Sequence, residues 1–327
     1  MKAIFFLSRE NFFLARDEVL SIFSSKNCKI IDRKLLILDI SYNDIPKLKR
    51  LAYTRKVCRL LFSSAIKNIE KSLEKFDWNP VYRKDFCLRI KYLDNAERIN
   101  DFDEKKLAGH IWRTVKKPKV NLENAKTKIE LVFAGRKVFC CLEIYAQNEF
   151  FEERKAHKRP ALHPISLHPK LARCLVNLSG VSSDEVILDP FCGTGGILIE
   201  SSLMGIDSVG YDIDEDILNK CRKNLSFVKA KKVKLVCENS LKLKKKFDFI
   251  VTDLPYGKST KRFDAEKFYR EFILMLKRIL NKKAVVVFPD NFEYDPLIRK
   301  TGLNILGEYS YYIHKTMSKR IVVVEKR

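Results

Sequence analysis

No stretch of the 327 residues approaches the ~20 uninterrupted apolar positions of a membrane-spanning helix. That excludes a helical membrane protein. The nine cysteines, scattered from Cys28 to Cys237, include no Cys-x-x-Cys pair, which removes the usual zinc and dithiol redox motifs. Reduced thiols in the cytoplasm are the expected state. The first apolar run, Ala3 to Leu7, is too short for a secretory signal, and there is no internal repeat or low-complexity tract. His163 and His168 have no ligand cluster around them, so no metal is expected.

What the sequence does have is positive charge: 64 Lys and Arg against 41 Asp and Glu, a formal net charge of +23. Such a surface attracts polyanions, either nucleic acid or an anionic membrane face, although a lysine-rich composition from heat adaptation gives the same balance. Apolar residues at 46 % and charged residues at 32 % are ordinary for a folded globular chain. The length corresponds to about two domains at roughly 150 residues each.

Hydrophobic periodicity predicts strands at 3–7, 29–31, 35–40 and 57–62 around a helix at 10–23, a first small α+β unit. A second follows the break at Asn79-Pro80: a strand at 86–92, a helix at 104–115 and two strands at 128–133 and 137–144. Trp78 and Trp112 are expected in its core. Between Asn148 and His163 the periodicity gives way to charge and a proline, which marks a linker. Helix and strand then alternate through four βα units, and two strands close the chain. Strict βα alternation implies a parallel sheet covered on both faces.

The strongest motif is Asp189-Pro-Phe191-Cys-Gly193-Thr194-Gly195-Gly196, at the end of a predicted strand and the start of a helix. Glycines there let the backbone approach a ligand, and the helix N-terminus offers free N–H groups. No lysine follows Gly195 or Gly196, which argues against a P-loop, and the third glycine of a dinucleotide fingerprint falls on Leu198. The remaining pattern, D-x-F-x-G-x-G, is that of S-adenosylmethionine (SAM) methyltransferases. Asp212, followed by Ile213, ends the next strand, where a carboxylate accepts both ribose hydroxyls of an adenosine cofactor. The third strand ends in Cys237-Glu238-Asn239-Ser240, where an acid or an amide would bind the adenine amine.

The fourth strand ends in Asp253-Leu254-Pro255-Tyr256. Amino-methyltransferases carry [DNS]-P-P-[YFW] here. The lone pair of an exocyclic amine is delocalised into its ring, so a carboxylate and a backbone carbonyl accepting its hydrogens would orient it and let charge build as it attacks. Asp253 and the Leu254 carbonyl are the candidates. Tyr256 would stack on a base swung out of its helix. Leu254 stands where the pattern has its first proline; a main-chain carbonyl keeps its role regardless.

Asp189 to Glu200 together with Asp253 to Gly257 resemble the archaeal and eukaryotic tRNA (guanine-10-N2) methyltransferases. His157 to Pro160, His168 to Arg173 and His314 to Ile321 resemble the same family. The resemblance implies an α/β protein. Residues 1–62 would form a ferredoxin-like α+β segment, 63–148 a THUMP RNA-binding domain, 149–165 a linker, and 166–327 a Rossmann-like domain on a mainly parallel seven-stranded sheet. It also implies tRNA as partner, N2-methylguanosine or its dimethyl form as product, and, for eukaryotic relatives, a small activating subunit. Another tRNA or rRNA guanine, adenine in DNA, and a catalytically silent RNA-binding protein are the alternatives. Cofactor contacts are expected from Asp189, Phe191, Gly193, Thr194, Gly195, Asp212, Ile213, Asn239 and Asp253. Phosphate contacts are expected from Lys116, Lys117, Lys119, Arg154, Lys158, Arg159, Lys258 and Arg262.

Overall fold

The computed structural model describes residues 1–25, 28–97, 102–162, 166–255, 264–314 and 317–326, with the backbone alone at 313, 314 and 317. The chain divides into two compact units, each with a seven-stranded sheet. One comprises Met1–Arg16, Ser25–Lys49 and Thr54–Asn148; the other comprises Asp17–Ser24, Arg50–Tyr53 and Glu149–Arg327.

The strands of the first unit are β1 (Lys2–Leu7), β2 (Lys29–Ile31), β3 (Leu35–Asp39), β4 (Thr54–Ala65), β5 (Phe86–Tyr92), β6 (Thr127–Ala134) and β7 (Lys137–Ala146). Helix α1 (Phe12–Ile22) follows β1, and α2 (Ile69–Lys75) and α3 (Glu104–Trp112) flank β5 in sequence. The sheet runs β2-β3-β1-β4-β7-β6-β5. The two small α+β units read from the sequence share this one sheet: β4 pairs with β1 on one side and β7 on the other, and residue 62 lies inside it. The reason is a shared core: Ile4, Phe6 and Cys58 pack in one cluster with Val132, Phe139 and Cys141. Trp78 is buried as expected, its indole N–H donating to the Leu73 carbonyl at 2.8 Å. Trp112 departs from expectation. It ends α3 at 46 % exposure, because Leu107 and Ile111 take the inward positions of that helix.

The second unit contains α4 (Pro169–Ser179), β8 (Val186–Asp189), α5 (Gly196–Leu203), β9 (Asp207–Asp212), α6 (Glu215–Phe227), β10 (Val233–Cys237), β11 (Phe247–Asp253), α7 (Ala265–Ile279), β12 (Leu280–Pro289), α8 (Asp295–Lys300), β13 (Leu303–His314) and β14 (Met317–Lys326). Its sheet runs β10-β9-β8-β11-β12-β14-β13, parallel from β10 to β12 and antiparallel at β14 and β13. This is the expected Rossmann-like α/β arrangement. Helix α7 shows how sequence sets it: Asp264 caps its start by accepting from the Lys267 N–H at 3.0 Å, and Tyr269, Phe272, Ile273, Leu276 and Ile279 recur at helical spacing on the buried face. They pack on Ile250, Val286, Phe288 and Val322 of the sheet.

Strand order reverses between β8 and β11, so the crevice outside their carboxyl ends is where a ligand binds in such a sheet. Among the described residues no helix is long and apolar enough to cross a membrane, and no three His, Cys, Asp or Glu gather as a metal site.

Candidate active site

The loop after β8 is built on glycine. Gly193 and Gly195 have φ of +51° and +89°, the region glycine alone enters without strain. A Cβ on Gly195 would also stand 2.7 Å from the Cys221 Sγ of α6. Gly195 is thus the residue that lets α5 start against α6, while Gly193 and Thr194 face a cleft of about 730 Å³ at the switch point.

Asp189, at the end of β8, is buried and lines this cleft. Its Oδ1 accepts from the Thr252 hydroxyl at 2.8 Å and the Phe191 N–H at 3.2 Å. Burial dominates over these bonds and pushes its carboxyl up to about 7. Asp212, at the end of β9, is also raised by burial, against the backbone N–H groups that hold it: Gly193 on Oδ2 at 3.1 Å and Asp214 on Oδ1 at 3.0 Å. Asp214, not Asp212, caps α6, accepting from the Asp216 and Ile217 N–H groups. Ile213 lines the cleft at 71 % exposure, an apolar surface of the kind an adenine ring covers. Asn239 lines it as well, though its side-chain oxygen already accepts from the Leu241 N–H at 3.0 Å, the cap of a short turn.

Asp253 ends β11 on the same cleft, with Leu254 and Pro255 beside it. The Leu254 side chain is fully buried in the core with Tyr269, Phe272 and Phe288. This accounts for its departure from the two-proline pattern: the side chain fills core space while the main chain follows the strand end, its N–H donating to the Val287 carbonyl at 3.1 Å. The Tyr269 hydroxyl donates to the Pro255 carbonyl at 2.9 Å, which ties the turn to α7. Tyr256, Lys258 and Arg262 lie outside the described residues.

A residue the sequence reading missed completes this corner. Lys319, at the start of β14, is buried, and its Nζ lies 2.8 and 3.0 Å from the two oxygens of Asp253. No sequence pattern singles it out: Lys319 and Arg320 are both charged, and Ile321 to Val324 after them are apolar and buried on both faces.

Of the expected phosphate contacts, Lys116, Lys117, Lys119 and Lys158 are exposed. Arg154 and Arg159 are corrections. Arg154 turns inward to pair with buried Glu200 of α5 at 2.9 Å and with Glu149 at 3.1 Å. Arg159 is 5 % exposed, its Nε–H donating to the Arg154 carbonyl. Glu200 gives Arg154 a buried negative charge to neutralise, and the Arg159 side chain is enclosed.

The glycine loop, the ribose-compatible carboxylate at the end of the second strand and the apolar wall fit SAM. A model of the RMKL-like methyltransferase domain matches residues 156–319. A DNA methylase model matches residues 10–223, a span that stops before Asp253. The solved structure of TrmN from Thermus thermophilus has a similar fold, with a TM-score of 0.53 at 14 % identity over 100 % of both chains. Fold and site together define a SAM-dependent methyltransferase. Over 85 % of its length the chain is 35 % identical to the tRNA (guanine(10)-N2)-dimethyltransferase of Methanothermobacter thermautotrophicus, covering 84 % of that protein. It is 29 % identical to the enzyme of that name from Pyrococcus abyssi, over 96 % of each. The chain belongs to the tRNA (guanine(10)-N2)-dimethyltransferase family, whose members methylate a guanine amine of tRNA.

Proposed function

We propose that this enzyme methylates N2 of the guanine at position 10 of tRNA, in the cytoplasm, and that Asp253 is the group that holds the target amine. The observation that carries this reading is the carboxylate of Asp253 at the switch point, on one cleft with Asp212. SAM supplies an electrophilic methyl group on a sulfonium. Asp212 accepts the ribose hydroxyls, Ile213 covers the adenine, and Asn239 offers its remaining lone pair to the adenine amine. Asp253 and the Leu254 carbonyl accept N–H hydrogens of the guanine, which aligns the amine lone pair and stabilises the positive charge that develops on nitrogen. Asp189 shapes the loop through Thr252 and Phe191. Tyr256 stacks the extruded base.

In this reading residues 63–148 act as a THUMP domain that holds the tRNA, with Lys116, Lys117 and Lys119 on phosphates; Lys158, Lys258 and Arg262 serve the same purpose near the target. The test is incubation of unmodified tRNA transcript with SAM, then nuclease digestion and mass spectrometry with mapping of the modified site. N2-methylguanosine or N2,N2-dimethylguanosine at position 10 is the expected product. Methyladenosine would overturn the base assignment, and turnover only after adding a second protein would make the enzyme subunit-dependent.

A further inference from the structure

We infer that Lys319 is a positioning residue for the reaction: its ammonium holds the Asp253 carboxylate ionised and fixed in place, so that it accepts from the target amine and does not donate to it. The inference rests on the reading of Asp253 given above.

A lysine buried in an inward row of a strand is costly, and a buried ion pair is often no more stable than apolar residues of similar size. Lys319 is 2 % exposed, and the residues that follow it on the same face, Ile321 and Val323, are apolar. Register places it opposite Pro289 of β12, the strand between β14 and β11, so its side chain reaches across that strand's end to Asp253. An aliphatic residue would satisfy packing there. The charge faces the Asp253 carboxylate.

The need for a cation follows from the neighbours of Asp253. Asp189, on the adjacent β8, adds a negative charge when ionised, and Tyr269 of α7 adds none in its neutral form. A carboxylate beside another carboxylate in a half-enclosed cleft tends to keep a proton. A protonated Asp253 would present an O–H where the target amine presents N–H, and two donors would meet. Nζ sits 3.0 Å from Oδ1 and 2.8 Å from Oδ2, bridging both oxygens and offsetting the repulsion. Lys319 makes no bond to substrate and takes no proton in this scheme.

The experiment compares wild type, K319M, K319R and D253N by turnover against pH from 5 to 9 at saturating SAM and tRNA, with SAM affinity measured by calorimetry. K319M is expected to lose about 10²-fold in kcat at neutral pH. Its acid limb should move up by about one pH unit or more, so that part of the activity returns as pH rises. K319R should keep the wild-type limb, and SAM affinity should stay within about twofold in both. A K319M enzyme with the wild-type rate and profile overturns the inference, as does an equal loss in K319M and K319R with no movement of the limb. If K319M does not fold, K319R decides alone, since a shifted limb there contradicts a role carried by charge. D253N separates the two readings. Near-normal turnover in D253N would fell the assignment of Asp253, whereas an inactive D253N beside an indifferent K319M fells only the role of Lys319.

Discussion

The Thr252 hydroxyl donates to Asp189 Oδ1 at 2.8 Å, joining the ends of β11 and β8 at the point where strand order reverses. Thr252 precedes Asp253, which we propose holds the target amine, and Asp189 begins the glycine loop. The two halves of the site are thus keyed to each other through one buried hydrogen bond.

That carboxyl has a pH consequence. Burial raises Asp189 from 3.8 to about 7, so between those values the folded protein binds more protons than the unfolded chain. Stability from this group is fully present below about pH 4 and falls as pH rises through about 7, by roughly 4 kcal/mol in all. D189N does not titrate and keeps the acceptor for Thr252. Urea denaturation should therefore show the stability of D189N relative to wild type rising from pH 5 to pH 7.5; a constant difference would mean the carboxyl is not buried as described.

Replacing Asp253 by Asn exchanges one acceptor oxygen for a donor. Turnover should fall by about 10²–10³-fold, while SAM and tRNA affinities change little, because the lost interaction strengthens in the transition state. Single-turnover kinetics with filter-binding measurements check both parts. A matched loss of tRNA affinity would make Asp253 an RNA-binding residue instead.

Glu200 lies inside α5 with no exposed side-chain surface, and Arg154 and Arg173 each donate to it at 2.9 Å. E200Q removes the charge that both guanidinium groups face and should cost about 3–5 kcal/mol in chemical denaturation. A loss under about 1 kcal/mol would show that Glu149, which pairs with both arginines, neutralises them unaided.

The exposed lysines of the first unit can be tested through salt. Changing Lys116, Lys117 and Lys119 together to Gln should weaken tRNA binding and flatten the plot of log affinity against log salt by about 2, with SAM affinity unchanged. An unaltered slope would take the RNA path away from this edge.

The second unit was legible because its signals are local. Alternating βα periodicity, the glycine loop and the tetrad at Asp253 each lie within a dozen residues of sequence, and Asp189, Asp212, Asn239 and Asp253 do meet in one cleft. What was not legible depended on partners distant in sequence. Arg154 and Arg159 read as solvated charge because nothing nearby reveals that Glu200 lies inside a helix facing them. Lys319 comes to Asp253 from 66 positions away. Trp112 looks like core by residue type, yet the phase of α3 turns it outward. The joining of β4 to β7 likewise follows from a core shared across both segments.

That joining also sets an order of events during synthesis. When the ribosome has made the first sixty-odd residues, β4 has β1 to pair with, but its other edge stays open. The cluster around Ile4 and Cys58 still lacks Val132, Phe139 and Cys141. Roughly eighty more residues must follow Ala65 before β7 is complete, about 4–16 s at roughly 5–20 residues per second. For that interval the nascent chain carries an unsatisfied strand edge, the condition in which chaperone capture or pairing with a second nascent chain competes with folding.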